Sequence, residues 1–151
     1  MQERRKAREV ALQVLYSLNF AGLDTEKAQD LFWGNFVAPK SAREFAARLI
    51  SGAWSHREEL DRLIADCSDN WSLGRMSKVD ISILRMAAFE FLYCDDIPPK
   101  VSINEAVDLG KMFGSENSGS FINGILDALH SKIQKNHADH AVHSVPRPAK
   151  A

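Results

Sequence analysis

From Ala7 the apolar side chains return at Val10, Ala11, Val14, Leu15 and Leu18, and nearly every stretch between residues 3 and 134 keeps that three-or-four rhythm. Such spacing puts apolar groups on one side of an α-helix but on both sides of a strand. No segment offers the strict alternation of a half-buried strand, so the chain is predicted to be all-α, with about six to seven helices. A second stripe, Ala28, Leu31, Phe32 and Phe36, ends before Pro39. A third runs from about Ser41 through Phe45, Leu49, Ala53, His56, Leu60, Leu63, Ile64 and Cys67. Unbroken, it would be about 40 Å long, and Gly52 is where a bend is expected.

The punctuation between stripes fits helices too. After Trp71 and Gly74, Ser77 with Asp80 three residues on is predicted to be a capping box, opening a helix that buries Ile81, Leu84, Ala88, Phe91 and Leu92. Asp95-Asp96-Ile97-Pro98-Pro99 stops that helix, since neither proline continues a helix interior. Ser102 and Glu105 read as a second capping box, ahead of Ile103, Ala106, Val107, Gly110 and Phe113 on one face, with Gly114 as the C-terminal cap. The last helix carries Ile122, Ile125, Leu126, Leu129 and Ile133. From about Asn136 the chain turns polar and Pro-containing, and residues 136–151 are expected to be a disordered tail.

Composition narrows the class. At 151 residues and 45% hydrophobic, the chain suits one compact domain or two small subdomains sharing a core. A net charge of −1 excludes a uniformly basic coat for nucleic acid, so any such binding needs a local patch. No apolar run approaches the roughly 18 residues of a membrane span. The charged N-terminus has no apolar region behind it, so no secretory signal is expected and the cytoplasm is the predicted compartment. Cys67 and Cys94 stand far apart and unaccompanied, as reduced core residues do.

The candidate patch is at the start. Residues 1–9 hold four cations, Arg4, Arg5, Lys6 and Arg8, against two acids (net +2), leaving fifteen against eighteen (net −3) for the remainder. A helix N-terminus favours acids, so these cations sit at the wrong end. Guanidinium groups there could grip phosphates without a deep pocket; by charge alone a solvated terminus fits equally well. Tyr16, two turns beyond Arg8, could stack on a base or be half-buried packing.

Other motifs fail. Gly114, Gly119 and Gly124 recur at fives, but Gly119 is followed by Ser120 and Phe121 rather than by the Lys-Ser/Thr of a phosphate loop. His137, His140 and His143 at spacings of three would spread over two-thirds of a helical circle, a poor metal site. No catalytic triad, Cys/His pair or paired carboxylates stand out, and no enzyme, metal or cofactor is expected. Asn104, Glu105 and Asn123 beside core positions are read as bridges between helices. Asp80, Arg85 and Glu90, off the main apolar stripe of their helix, form either a solvated face or a polar docking surface.

Three segments together resemble the NusB family. They are Arg4-Arg5-Lys6-Ala7-Arg8-Glu9 with Ala11-Leu12-Gln13-Val14-Leu15-Tyr16; Ile83-Leu84-Arg85-Met86-Ala87; and Asp96-Ile97-Pro98-Pro99-Lys100-Val101-Ser102-Ile103-Asn104-Glu105-Ala106-Val107, continuing through Lys111, Phe113 and Gly114 into Phe121-Ile122-Asn123-Gly124-Ile125-Leu126-Asp127. The resemblance implies two small helical bundles packed across each other, about 1–70 and 71–135, within one domain of residues 1–135. It implies no catalysis. It implies binding of the boxA element of nascent RNA from ribosomal RNA operons, in partnership with NusE, a small-subunit ribosomal protein, within an antitermination complex on RNA polymerase. By position, the family's arginine-rich RNA-binding start falls on Arg4, Arg5, Lys6 and Arg8, and its other RNA-facing positions fall on Tyr16, Phe113, Asn117 and Phe121. The NusE-facing helix would include Asp80, Arg85 and Glu90. The chain departs from the pattern at Gly119-Ser120, where a basic side chain before Phe121 is expected, and at Asn117, where many relatives carry an acid. The alternatives are a protein-only interaction module, such as a homodimer, and a detached substrate-docking domain related to that of ribosomal RNA cytosine methyltransferases.

Overall fold

The computed structural model describes residues 2–21, 27, 30, 38–68 and 72–143. Among these are six α-helices: α1 (Gln2–Ala21), α2 (Lys40–Ser55), α3 (Arg57–Asp66), α4 (Lys78–Tyr93), α5 (Pro99–Phe113) and α6 (Ser118–His143), with a 3₁₀ turn at Leu73–Arg75. No strand occurs among the described residues. The stripe at Ala28–Phe36 and Trp71 lie outside them.

The α1 stripe is buried as its period demands, from Ala7 and Val10 to Leu18. Helix α1 packs chiefly on α2, and α5 chiefly on α6, while α4 packs against all five other helices. From Asp80 to Glu90 only Arg85 of α4 is not buried. A helix buried all round is an interior helix. The sequence carries the reason, since Ser82, Ile83, Met86 and Ala87 cover the side opposite Ile81, Leu84 and Ala88 with small or apolar groups. The solvated-face reading of Asp80, Arg85 and Glu90 therefore gives way to an internal one.

Gly52 does not bend the long third stripe. The break falls at His56, whose φ of −99° and ψ of 13° separate α2 from α3 while its N–H still donates to the Gly52 carbonyl. Gly52 serves a close approach instead: a Cβ there would collide with the Phe89 ring of α4. The glycine lets α2 settle onto the central helix.

The caps divide similarly. Ser77 Oγ accepts from the Asp80 N–H at 3.0 Å, the first half of a capping box. Ser102, by contrast, does not open α5. That helix starts three residues earlier at Pro99, where proline's missing N–H is harmless and its φ is already helical. Ser102 and Glu105 sit inside it, freed for another task. Gly114 closes α5 with its N–H on the Gly110 carbonyl, at an ordinary negative φ. Helix α6 continues through His143, past the point where the tail was expected to begin, as no proline interrupts it before Pro146.

Candidate nucleic-acid interface

The basic start of α1 is not an open arm. Arg8 is buried, its Nε and Nη2 each 2.9 Å from a Glu90 carboxylate oxygen. Its Nη1 lies 3.4 Å from Glu105, and Ser102 Oγ donates to Glu90 Oε1 at 2.7 Å. This is the task of Ser102 and Glu105: with Arg8 and Glu90 they knit α1, α4 and α5 into one buried polar cluster whose members satisfy each other. Arg5 grips Glu105 and Asp108, each at 2.6 Å. The hydrogen bond to Glu105 holds its guanidinium well above its usual pKa. Arg4 reaches Asp96 at 3.2 Å and lies over the Phe45 ring, 4.4 Å from its centre. Asp96's own backbone N–H, and after it Arg4, hold that carboxyl below the usual range.

The four predicted cations thus differ in kind. Arg8 is a core residue. Arg4 and Arg5 are about half-exposed, in ion pairs of the surface type, which contribute only about 0–1 kcal/mol each and exchange readily for another anion. Lys6 is 64% exposed and only 4.0 Å from Glu9, its charge open to solvent. The acids that surround the arginines, 82 to 103 residues away in the chain, left no signal in the local sequence.

The aromatic positions are brought together. Tyr16 and Phe113, 39% and 41% exposed, line one cleft of about 290 Å³ with Leu12, Gln13 and Val79. Tyr16 also meets the exposed Phe20 edge-on, ring centres 5.0 Å apart, an aromatic neighbour not anticipated from the sequence. Asn117 and Phe121 line a second cleft of similar size together with Arg75, Ser77 and Asp80. Val79 belongs to the first cleft and Asp80 to the second, so the two flank the first turn of α4. From Arg4 to Tyr16 is about 18 Å along α1. The exposed cations and the aromatic clefts are thus not gathered in a single pocket.

At Gly119 the missing basic side chain has a neighbour. The aliphatic stem of Lys111 lies against this glycine, where a Cβ would stand 3.0 Å from Lys111 Cγ. A lysine from α5 thus lies beside the position where the family pattern leads one to expect a cation on α6.

The three residues expected to face NusE do not form one surface. Glu90 is buried in the Arg8 cluster. Arg85 forks onto both Asp61 oxygens at 2.7 and 2.9 Å and donates to Asn19 Oδ1 at 3.1 Å, tying α4 to α3 and α1. Asp80 is 8% exposed. Among the described residues there is no group of three or more His, Cys, Asp or Glu able to hold a metal, and no helix long and apolar enough to cross a membrane. The side chains of His137, His140 and His143 lie outside the described set.

Comparison with known proteins bears on this arrangement. The family model described as NusB family matches residues 5–131. The transcription antitermination protein NusB of Syntrophus aciditrophicus (strain SB) is 58% identical over 146 residues, covering 97% of this chain and 91% of that protein. The protein of the same name from Desulfatibacillum aliphaticivorans is 49% identical over 135 residues, covering 89% and 94%. Among solved structures, T. maritima NusB superposes with a TM-score of 0.78 at 37% identity, covering 85% of this chain and 90% of that one. A crystal structure of antitermination factors NusB and NusE in complex with dsRNA does so with a TM-score of 0.79 at 28% identity, covering 87% and 98%.

Proposed function

The chain belongs to the NusB family, and from that premise we propose that it is a non-enzymatic, cytoplasmic transcription antitermination factor that binds boxA RNA of ribosomal RNA operons together with NusE and joins an antitermination complex on RNA polymerase. The observation that carries the RNA-binding part is the exposure of Tyr16 and Phe113 on one cleft, Tyr16 standing on the same helix that bears Lys6, Arg4 and Arg5. Single-stranded RNA is held by bases laid on aromatic rings and by phosphates met by cations, and it needs no catalytic pocket. Arg4 and Arg5 take part by exchanging Asp96, Glu105 and Asp108 for phosphate. Arg8 supports them from within. A relative solved with NusE and dsRNA supports both partners.

The test is fluorescence anisotropy of a labelled boxA-like RNA and a scrambled control, with and without NusE, across a salt series. Three exposed cations at about −0.7 per phosphate contact give a log–log slope near −2. A preference for boxA that sharpens with NusE is expected. No preference with NusE present would return the fold to the protein-interaction reading.

A further inference from the structure

The charges around the start of α1 do not balance evenly. Arg5 and Arg8 share three carboxylates, Glu90, Glu105 and Asp108, so acids outnumber cations there. At Asp96 the ratio is reversed. This one carboxylate, in the loop between α4 and α5, takes Arg4 on Oδ2 at 3.2 Å and Arg48 on Oδ1 at 3.5 Å. Arg48 comes from α2, which holds none of the positions expected to face RNA, and it also donates to the Tyr93 carbonyl at 3.2 Å. Among the described residues neither Arg4 nor Arg48 has another carboxylate within ion-pair distance. Two guanidinium groups against one acid leave a net positive charge at this place.

The fit of Asp96 is also loose. Charge-assisted N–H···O contacts close to about 2.7–2.9 Å when the partners suit each other, and Arg5 comes to 2.6 Å of each of its acids. Both contacts of Asp96 are longer. A carboxylate has its two oxygens on one small carbon, and it does not close on two arginines at once. A phosphodiester carries its single charge on two non-bridging oxygens set farther apart, and guanidinium forks take either group. The side chains of Arg4, Asp96 and Arg48 are 45%, 51% and 42% exposed, so a strand reaches them without opening the core. The fold nevertheless positions both arginines. The Arg4 guanidinium lies over the Phe45 ring, and Phe45 stands three residues before Arg48 on the same helix, hence on a neighbouring turn. Arg4 and Asp96 also line a cleft of about 470 Å³ with Ile97, Pro98 and Val101, which leaves room for a sugar beside the charges.

We propose that Arg4 and Arg48 together seat one phosphate of the RNA backbone, that Asp96 occupies this seat in the free protein, and that α2 is thereby part of the RNA-binding surface. The inference rests on the RNA-binding reading above and adds to it a residue and a helix. Each arginine exchanges one carboxylate oxygen for one phosphate oxygen. Because Arg48 shares the phosphate of Arg4, the number of phosphates met, and with it the salt dependence, stays as it was. Such a contact positions the strand without reading a base.

The experiment measures the affinity of the full chain, with NusE present, for short boxA-like RNAs in which each backbone linkage in turn is an uncharged methylphosphonate after a 2′-deoxy sugar. The control carries the same deoxy sugar with an ordinary phosphate. At low salt wild type is expected to lose about fivefold at the seated linkage, as exposed ion pairs allow. Arg48→Gln should bind the parent RNA about threefold more weakly, and its penalty at that linkage should shrink to about twofold or less, with the other linkages unchanged. Arg48 is exposed, so the variant should melt with wild type. Should it not fold, the Arg48 Nε resonance of nitrogen-labelled wild type takes its place: it should move on binding the parent RNA and stay still when the seated linkage is neutral. Arg48→Gln binding every RNA as wild type does, or weakening all of them by one factor with the seated linkage included, overturns the shared seat and leaves RNA binding intact. Weakened NusE binding with RNA affinity unaltered overturns it in favour of a protein contact. No RNA binding by wild type would remove the RNA-binding reading itself, and this inference with it.

Discussion

The guanidinium of Arg8 holds the carboxylate of Glu90 at two points, 2.9 Å each, across 82 residues of chain and almost wholly out of water. Breaking a buried pair leaves one charge stranded, which costs about 3–5 kcal/mol. Arg8→Ala is expected to lower the free energy of unfolding by that amount in urea titration. The paired change Arg8→Met with Glu90→Leu should recover most of it, because no charge is then left inside. A variant Arg8→Ala that unfolds like wild type but loses RNA would return Arg8 to the binding surface.

On the proposed reading, RNA would have to displace Asp96 from Arg4. Asp96→Asn is expected to raise RNA affinity by up to about fivefold at low salt, the small gain that an exposed pair allows. The gain should fade as salt screens both interactions. The same residue gives a pH signature. Its folded pKa is depressed, so its contribution to stability is present above the ordinary aspartate value and is lost as pH falls through the folded one. Below about pH 4 wild type should therefore lose stability more steeply than Asp96→Asn in a series of chemical melts.

Tyr16→Ala and Phe113→Ala should each weaken RNA binding by about 1–3 kcal/mol, the range for a base stacked on an aromatic ring. Both rings are substantially exposed, so thermal stability should move by less than about 1 kcal/mol. Equal losses in stability and in RNA affinity would mark these rings as packing alone.

Gly52→Ala should destabilise by about 1–3 kcal/mol, through overpacking against Phe89. Adding Phe89→Leu should make the pair of changes less harmful than their sum, a coupling that a double-mutant cycle of melts would measure.

How far the sequence foretold this molecule depended on the range of the interaction. Helix periods, the Pro98-Pro99 stop and the Ser77 cap are local, and each was readable. Ser102 and Glu105 carry the same local pattern as a cap, and only the start of α5 at Pro99 and the arrival of Arg8 from α1 show them to be partners in an ion cluster. The same distance effect hid the acids that meet Arg4 and Arg5. The resemblance names Tyr16, Phe113, Asn117 and Phe121 as one set of expected positions, but their division between two clefts on either side of Val79 and Asp80 needed the fold. The break at His56 was misplaced to Gly52 because a glycine in a helix signals a bend and a close approach in the same letter.

The order of synthesis gives the Arg8 cluster a history. Helix α1 leaves the ribosome first, but Glu90 follows 82 residues later, roughly 4–16 s at 5–20 residues per second, and Glu105 later still. Throughout that interval all the arginines of the nascent first helix are without the acids that later restrain them. Completion of the fold is what brings these acids to the arginines and offsets their charge.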